Sequence, residues 1–281
     1  MDIQIHDGIT LFTNIPKDLE NTWKTTIEEP LDSLRKIIPM SFAQMGAATP
    51  EEINDELIDM AKKLQEANIP QRVLKAVTHA YEVLKEHGHT TFPRTLHVAI
   101  LVSNGKNPMH NDLNHGFTGF GGIPGFIILI LSPTDYVIQR IEAHVAHEFH
   151  HNIRFLIEPW PMDRNISVGR FLLDEGLAEA FGAALYGEEN IGDQTIGLRG
   201  DELERVKKII EPHLFEVGFF IAQSYLYGGI FHSPEGELPH GAGYAVGYSW
   251  VKDFLAREGG DIFSLTKVAS LEILHKLFPS S

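Results

Sequence analysis

The segment HVAHEFHHNIRF, from His144 to Phe155, places four histidines and one glutamate within eight residues. Apolar residues recur at intervals of three and four on both sides of these histidines, so the segment is predicted to lie on a long helix. Within it, His147, Glu148 and His151 spell H-E-x-x-H. Positions i and i+4 of a helix lie on one face about 6 Å apart, so both imidazoles can bind one metal ion. The carboxylate between them can reach a water on the open side of that ion without being a ligand.

A site with two histidines needs a third protein ligand, and the sequence offers two candidates downstream. The pattern H-E-x-x-H-x-x-G-x-x-H is absent, because Arg154 and Ile157 stand where it requires Gly and His. The segment LLDEGLAEAF, residues 172–181, instead contains Glu175 and Glu179. Two carboxylates in such an apolar segment repel one another unless a cation compensates one and an imidazole N–H the other. A site of two histidines and one glutamate on two helices is therefore expected, and Gly176 is expected to let the helices approach closely.

Other histidines near the motif are given different roles. His144 lies about 10 Å from His151 along a straight helix, so both cannot bind one tetrahedral ion. We expect His144 near the ligands or in the core, and His150 away from the metal face. His110 and His115, in a preceding loop with Asp112, could bind a second ion, although a solvated loop is the favoured interpretation.

The rest of the chain indicates an α+β fold. The apolar runs RTLHVAILVS (94–103) and GGIPGFIILILSP (121–133) predict two strands before the histidine helix. Helical spacing dominates elsewhere, and it includes the first ninety residues. We expect a helical region over 1–90 followed by a catalytic domain over 91–281. The glycines of the second run spell no phosphate-binding loop.

Composition narrows the chemistry and the partners. The chain has no cysteine, so any metal is held by His, Asp, Glu or Asn. Its net charge of −15 would repel phosphate backbones, so nucleic-acid binding is not expected. We see no signal peptide and no membrane-spanning stretch, which predicts a cytoplasmic protein without a membrane partner. The sequence does not address the oligomeric state.

The motif HEFHH followed by DEGLAEAF resembles the gluzincin clan of zinc metallopeptidases. Together with GGIPGFIILIL before it and GYAVGYSWV after it, the combination resembles the bacterial family of predicted Zn-dependent proteases called YjaZ-like. The likeness covers about the last two thirds of the chain. It implies a zincin-like α+β fold, mainly helical, with a small mixed β-sheet whose edge strand precedes the HExxH helix.

The same resemblance implies roles for individual residues. It makes His147, His151 and Glu175 the ligands of Zn2+, Glu148 the general base, and Glu179 a carboxylate that supports a ligand histidine from outside the metal's own ligands. The chain departs from the best-known gluzincins in one respect, because 24 positions separate His151 from Glu175, a few more than usual. A longer intervening loop is expected.

Gluzincins usually add a tyrosine or histidine that donates to the developing oxyanion. The segment LPHGAGYAVGYSWV offers Tyr244 as first candidate, then His240, with Tyr248 as a third. The expected function is zinc-dependent hydrolysis of a peptide or protein substrate. Two alternatives stay open: a non-catalytic peptide-binding or regulatory module in which His144 or His240 completes the zinc coordination, and a zinc hydrolase of non-peptide amides.

Overall fold

The chain is described here by a computed structural model that covers residues 1–38, 40–161, 165–229 and 238–279. Its strands form one mixed sheet and are β1 (Asp2–Asp7), β2 (Thr95–Val102), β3 (Phe117–Ile123) and β4 (Phe126–Leu131). Most of the other described residues are helical. The prediction of a mainly helical α+β protein with a small mixed sheet is confirmed.

The helices are numbered in chain order. They are α1 (Gly8–Thr13), α2 (Leu19–Trp23), α3 (Asp32–Ile37), α4 (Asp55–Glu66), α5 (Ile69–Glu86), α6 (Asp135–Ile157), α7 (Val168–Tyr186), α8 (Asp193–Gly197), α9 (Gly200–Ile210), α10 (Phe219–Tyr227), α11 (Ala242–Glu258), α12 (Ile262–Leu265) and α13 (Ser270–Leu277). Within these described ranges, no helix combines the length and the apolarity that a bilayer crossing requires.

The sheet has the order β1-β2-β4-β3. Strands β1, β2 and β4 are parallel, and β3 is antiparallel to β4. The internal strands β2 and β4 are buried along almost their whole length. Strands covered on both faces have continuous apolar sequences, which explains why these two were recognisable from sequence.

The strand directly before the histidine helix is β4, which is internal in the sheet. This corrects the expectation that an edge strand directly precedes that helix. A turn at Pro124 and Gly125, where Gly125 has a φ of 92°, divides the stretch GGIPGFIILIL between two strands. Its second half is β4, which pairs on both sides. The edge strand is β3, which precedes β4 in a hairpin and is therefore one strand further from α6 in the chain.

The first ninety residues are not helical throughout, because residues 2–7 form the other edge strand, β1. These residues read DIQIHD and alternate polar and apolar side chains, as a half-buried strand does. Each pairs in parallel with a residue of β2, from Asp2 with Thr95 to Asp7 with Ile100. The N-terminus therefore belongs to the sheet, and the domain boundary at residue 90 stays a prediction.

The chain forms two compact units. The first contains residues 1–82 and 90–153, with the whole sheet, α1 to α4 and most of α5 and α6. The second contains residues 83–89 and 154–281. In the first unit, the Arg72 guanidinium on α5 makes two hydrogen bonds of 2.6 Å to the Glu142 carboxylate on α6. This paired geometry fixes the two helices against one another.

In the second unit, α7 is buried on nearly all sides and packs against α10, α11, α12 and α13. A Cβ atom at Gly176 would lie only 2.5 Å from the backbone nitrogen of Tyr248. A Cβ atom at Gly247 would lie 2.8 Å from the backbone carbonyl carbon of Leu172. Gly176 therefore permits the close contact of α7 with α11, a role that the sequence did not suggest.

The loop histidine His110 is buried in the first unit and holds the sheet edge to the loop before it. Its Nδ1 lies 2.8 Å from the Thr118 hydroxyl and its Nε2 lies 3.0 Å from the Ser132 hydroxyl. Burial lowers the pKa of His110 to about 4, so the imidazole is neutral near neutral pH. The loop is thus neither solvated at this residue nor, among the described residues, part of a metal-binding group with Asp112 and His115.

The depressed pKa of His110 predicts a loss of stability in acid. The unfolded imidazole binds a proton at about pH 6.5 whereas the folded one resists protonation until about pH 4. Stability present above pH 6.5 is therefore lost as the pH falls toward 4, by at most about 3 kcal/mol from this residue. The free energy of unfolding, measured by denaturant titration across this range, should fall less steeply in His110→Gln. Equal slopes in both proteins would contradict this account of His110.

Candidate metal centre

His147 and His151 lie one turn apart on α6 and turn the same nitrogen toward each other. Their Nε2 atoms are 3.0 Å apart, and the two rings are nearly perpendicular. The carboxylate of Glu175 on α7 completes a group whose ligand atoms all lie within 4.8 Å of one another. Among the described residues, no other group of three or more such side chains meets this condition.

The arrangement of these three side chains fits a zinc ion. Two nitrogens bound to one tetrahedral zinc at roughly 2.05 Å are about 3.3 Å apart, which is close to the observed separation. Two imidazoles and one carboxylate are also a donor set that catalytic zinc sites use, with a fourth position for water or substrate. The chain's own donors therefore suit the metal that the motif predicts.

Glu148 lies beside His147 on α6 and is 7% exposed. Its carboxylate group rests against β3 at Gly119, where the strand has no side chain. Glu148 is not part of the three-residue group. This agrees with a carboxylate that lies beside the metal and is not one of its ligands. Its role as base stays a prediction.

The neighbouring histidines of α6 lie outside the group of three. The ring of His144 stacks on Phe117 of β3, with 4.2 Å between ring centroids, and also contacts Tyr136. His150 is fully buried, and its ring centroid lies 6.4 Å from that of His151. The supporting role expected for His144 near the ligands is not tested by these contacts and stays a prediction.

Glu179 lies one turn beyond Glu175 on α7 and is 5% exposed. Its carboxylate accepts a hydrogen bond from the backbone N–H of Gly192 at 3.3 Å. This contact partly compensates the buried charge of Glu179. The sequence had suggested only a histidine as its partner. The partnership of Glu179 with a ligand histidine remains a prediction.

The three candidates for an oxyanion donor lie in or just before α11 and differ in their surroundings. Burial, together with the nearby Tyr227 and the carboxylate of Glu175, raises the pKa of Tyr244 well above its usual value. Tyr248 donates a hydrogen bond of 2.9 Å to Glu188. Burial lowers the pKa of His240. Tyr244 is thus a neutral phenol that is hydrogen-bonded to Tyr227 and lies near Glu175, whereas the hydroxyl of Tyr248 is bonded to a carboxylate.

A buried ion network, which the sequence analysis missed, holds the turn of α7 that carries Glu175. Arg154 is fully buried on α6 and contacts Asp174, Glu158 and the hydroxyl of Ser270. It also donates to two backbone carbonyls before α13. Asp174 directly precedes Glu175, so this network restrains the backbone at the third candidate ligand. The spacing of Arg154 and Glu158 on one helix face was the available signal.

Asn152 was also missed, although it directly follows His151. Its side chain is buried and makes three hydrogen bonds to the hairpin that joins β3 and β4. The oxygen accepts from the N–H of Gly125 at 2.5 Å, and the amide donates to the carbonyls of Gly121 and Phe126 at 2.8 and 2.7 Å. These bonds fasten the hairpin to the helix that carries the two imidazoles.

Two comparisons with known proteins relate the chain to a family. No solved structure matches the chain significantly. The chain is 36% identical over 172 residues to the uncharacterized protein YjfC of Bacillus subtilis (strain 168). The match covers 60% of this chain and 57% of YjfC, so the chain spans little more than half of that relative's length. A family model described as "Predicted Zn-dependent protease (DUF2268)" matches residues 61–275, and the chain therefore belongs to this family of predicted zinc-dependent proteases.

Proposed function

We propose that this protein is a gluzincin-type zinc metallopeptidase that hydrolyses peptide bonds in a peptide or protein substrate. The observation that carries the proposal is the convergence of His147, His151 and Glu175 within 4.8 Å. The family's description as predicted Zn-dependent proteases supports the same chemistry. In this proposal the three side chains hold the zinc ion, two from α6 and one from α7, within a zincin-like catalytic domain.

A bound zinc ion supplies Lewis-acid polarisation of a carbonyl group and lowers the pKa of water toward 7. Glu148 accepts a proton from the water that attacks the carbonyl carbon of the scissile peptide bond. It then delivers that proton to the leaving nitrogen as the C–N bond breaks, so one carboxylate acts first as base and then as acid. Its place on the helix, one residue after His147, suits this proton transfer because it lies beside the ligands without joining them.

Tyr244 is the preferred donor to the oxyanion that forms during this attack. Its raised pKa keeps the phenol protonated, and a protonated hydroxyl near Glu175 can donate a hydrogen bond to negative charge as it develops. His240 is the second candidate; its ring is hydrogen-bonded to the backbone of Tyr227, a bond that it would exchange for one to the oxyanion. Tyr248 is the third candidate, because its existing hydrogen bond is to the carboxylate of Glu188 and such charge-assisted bonds are the stronger ones.

Glu179 is proposed to orient one of the ligand histidines by accepting its second ring N–H. Such carboxylate partners fix the tautomer and orientation of metal-binding imidazoles. The support is its burial on α7, one turn from Glu175, among mainly apolar side chains. His144 is a further candidate for this supporting layer, because it lies one turn before His147 on α6.

The role of Glu148 is tested by an isosteric substitution. Glu148→Gln should bind zinc as the original protein does and lose about 10²- to 10⁴-fold in kcat, because only the proton transfer is removed. The measurement is digestion of a peptide library by the zinc-loaded protein, with metal content determined on the same samples. A chelator should abolish the cleavage and added zinc should restore it. Cleavage by Glu148→Gln at the original rate would refute the assignment.

The same screen separates the proposal from its alternatives. A non-catalytic module would bind zinc and leave every peptide intact. A zinc hydrolase of non-peptide amides would leave the peptide library intact but cleave simple acyl amides in a way that Glu148→Gln prevents.

The ligand assignment predicts an order of metal loss. Glu175→Ala should lower zinc occupancy much more than Glu179→Ala. Removing Glu175 removes a ligand, whereas removing a carboxylate that only supports a ligand histidine typically costs about 10- to 100-fold in zinc affinity. Zinc content after dialysis against a graded chelator measures both variants under one condition. Greater loss in Glu179→Ala would exchange the roles of the two glutamates.

A further inference from the structure

Two glycines of the edge strand β3 lie against Glu148. A Cβ atom at Gly119 would lie 2.7 Å from Cδ of Glu148 and nearer still to its Oε1. A Cβ atom at Gly121 would lie 2.8 Å from the backbone carbonyl carbon of Glu148. Cβ atoms in proteins essentially never lie within 3.0 Å of such atoms. Neither glycine has a positive φ, so these positions require glycine for space rather than for backbone conformation.

The close approach of β3 and α6 is held by hydrogen bonds and cannot relax freely. The three bonds of Asn152 join the helix to both ends of the hairpin turn, at Gly121, Gly125 and Phe126. The pairing of Gly119 with Leu129 fixes β3 from its other side. A side chain added at Gly119 would therefore displace the end of Glu148 sooner than it would move the strand.

We propose that Gly119 is a positioning residue that determines where the carboxylate of Glu148 lies. The three atoms nearest to a Cβ at this position all belong to the Glu148 side chain, and none belongs to His147 or His151. Gly119→Ala should thus shift the carboxylate by about 1 Å and leave the imidazoles in place. The catalytic consequence rests on the proposed role of Glu148 as general base, for which a displacement of 1 Å can cost about 100-fold in rate.

The kinetic test uses the full chain loaded with zinc. Gly119→Ala should keep its zinc affinity, keep KM within about threefold, and lose roughly 100-fold in kcat. A shorter acid should fit beneath the added methyl group, so Glu148→Asp should cost less kcat in the Gly119→Ala background than in the original one. An unchanged kcat in Gly119→Ala, or equal costs of Glu148→Asp in both backgrounds, would overturn the proposal.

A matched control lies on the same strand. A Cβ atom at Gly122 would meet only the ring of Phe120, at 3.1 Å, and this ring can rotate away. Gly122→Ala should therefore retain the original kcat and zinc affinity. A comparable loss of kcat in Gly122→Ala would show that any side chain on this strand disturbs the site, which would contradict a specific role for Gly119.

A stability cycle without metal separates this proposal from the proposed function. In the apoprotein, Gly119→Ala should lower Tm by roughly 3–6 °C, and this loss should largely disappear in Glu148→Ala, which removes the clashing atoms. If Gly119→Ala does not fold, the double variant should fold. Equal losses in both backgrounds, or a double variant that does not fold, would overturn the proposal. Because the cycle measures only stability, it tests the contact between Gly119 and Glu148 even if the protein cleaves no peptide.

Discussion

The site depends on two imidazole nitrogens that face one another at 3.0 Å on a single helix. This contact requires the helix to stay straight between His147 and His151 and to present both rings on one face. The surrounding contacts of α6 serve that requirement. Arg72 pairs with Glu142 before the motif, and Asn152 binds the β3–β4 hairpin directly after it. The helix is therefore fixed on both sides of the two imidazoles.

Charge burial is the second constraint, and it is concentrated on α7. This helix is apolar on nearly every face but carries Asp174 and Glu179 at 1% and 5% exposure. Each buried carboxylate costs several kcal/mol unless it is compensated. Arg154 and Arg170 contact Asp174, and a backbone N–H contacts Glu179. Glu175, between them, is the carboxylate for which the group of three provides two imidazoles and room for a cation.

The sequence predicted the parts of the molecule whose signals are local. Helix α6 has a long periodic pattern, and β2 and β4 are continuous apolar runs, so each was recognised from its own residues. Strand β1 was missed because six residues with two isoleucines carry a weak signal beside the helical segments that follow. Strand β3 was missed because its glycines resemble a loop. Gly119 and Gly121 are required by the close approach of Glu148 on α6, about thirty residues further along the chain.

The candidate site shows the same division. The H-E-x-x-H spacing identified the two imidazoles, because helix geometry relates spacing to direction. Spacing left Glu175 and Glu179 as alternatives, and the resemblance to a known family favoured Glu175, the glutamate that converges with the imidazoles. Asn152 and Gly119 could not be identified in this way, since their partners are distant in sequence and come close only in the folded chain. Arg154 had a local signal in its spacing to Glu158, but its contact with Asp174 did not. Gly176 shows the converse: its small size was noticed, but the contact with α11 that requires it was not.

The most direct test of the account is X-ray absorption spectroscopy at the zinc edge, on protein loaded with zinc and analysed for metal content. The account predicts one zinc ion per chain, bound by two imidazoles and by oxygen ligands, one of which a small anion displaces. A site that retains no zinc, or one in which a third imidazole leaves no exchangeable ligand, would contradict it.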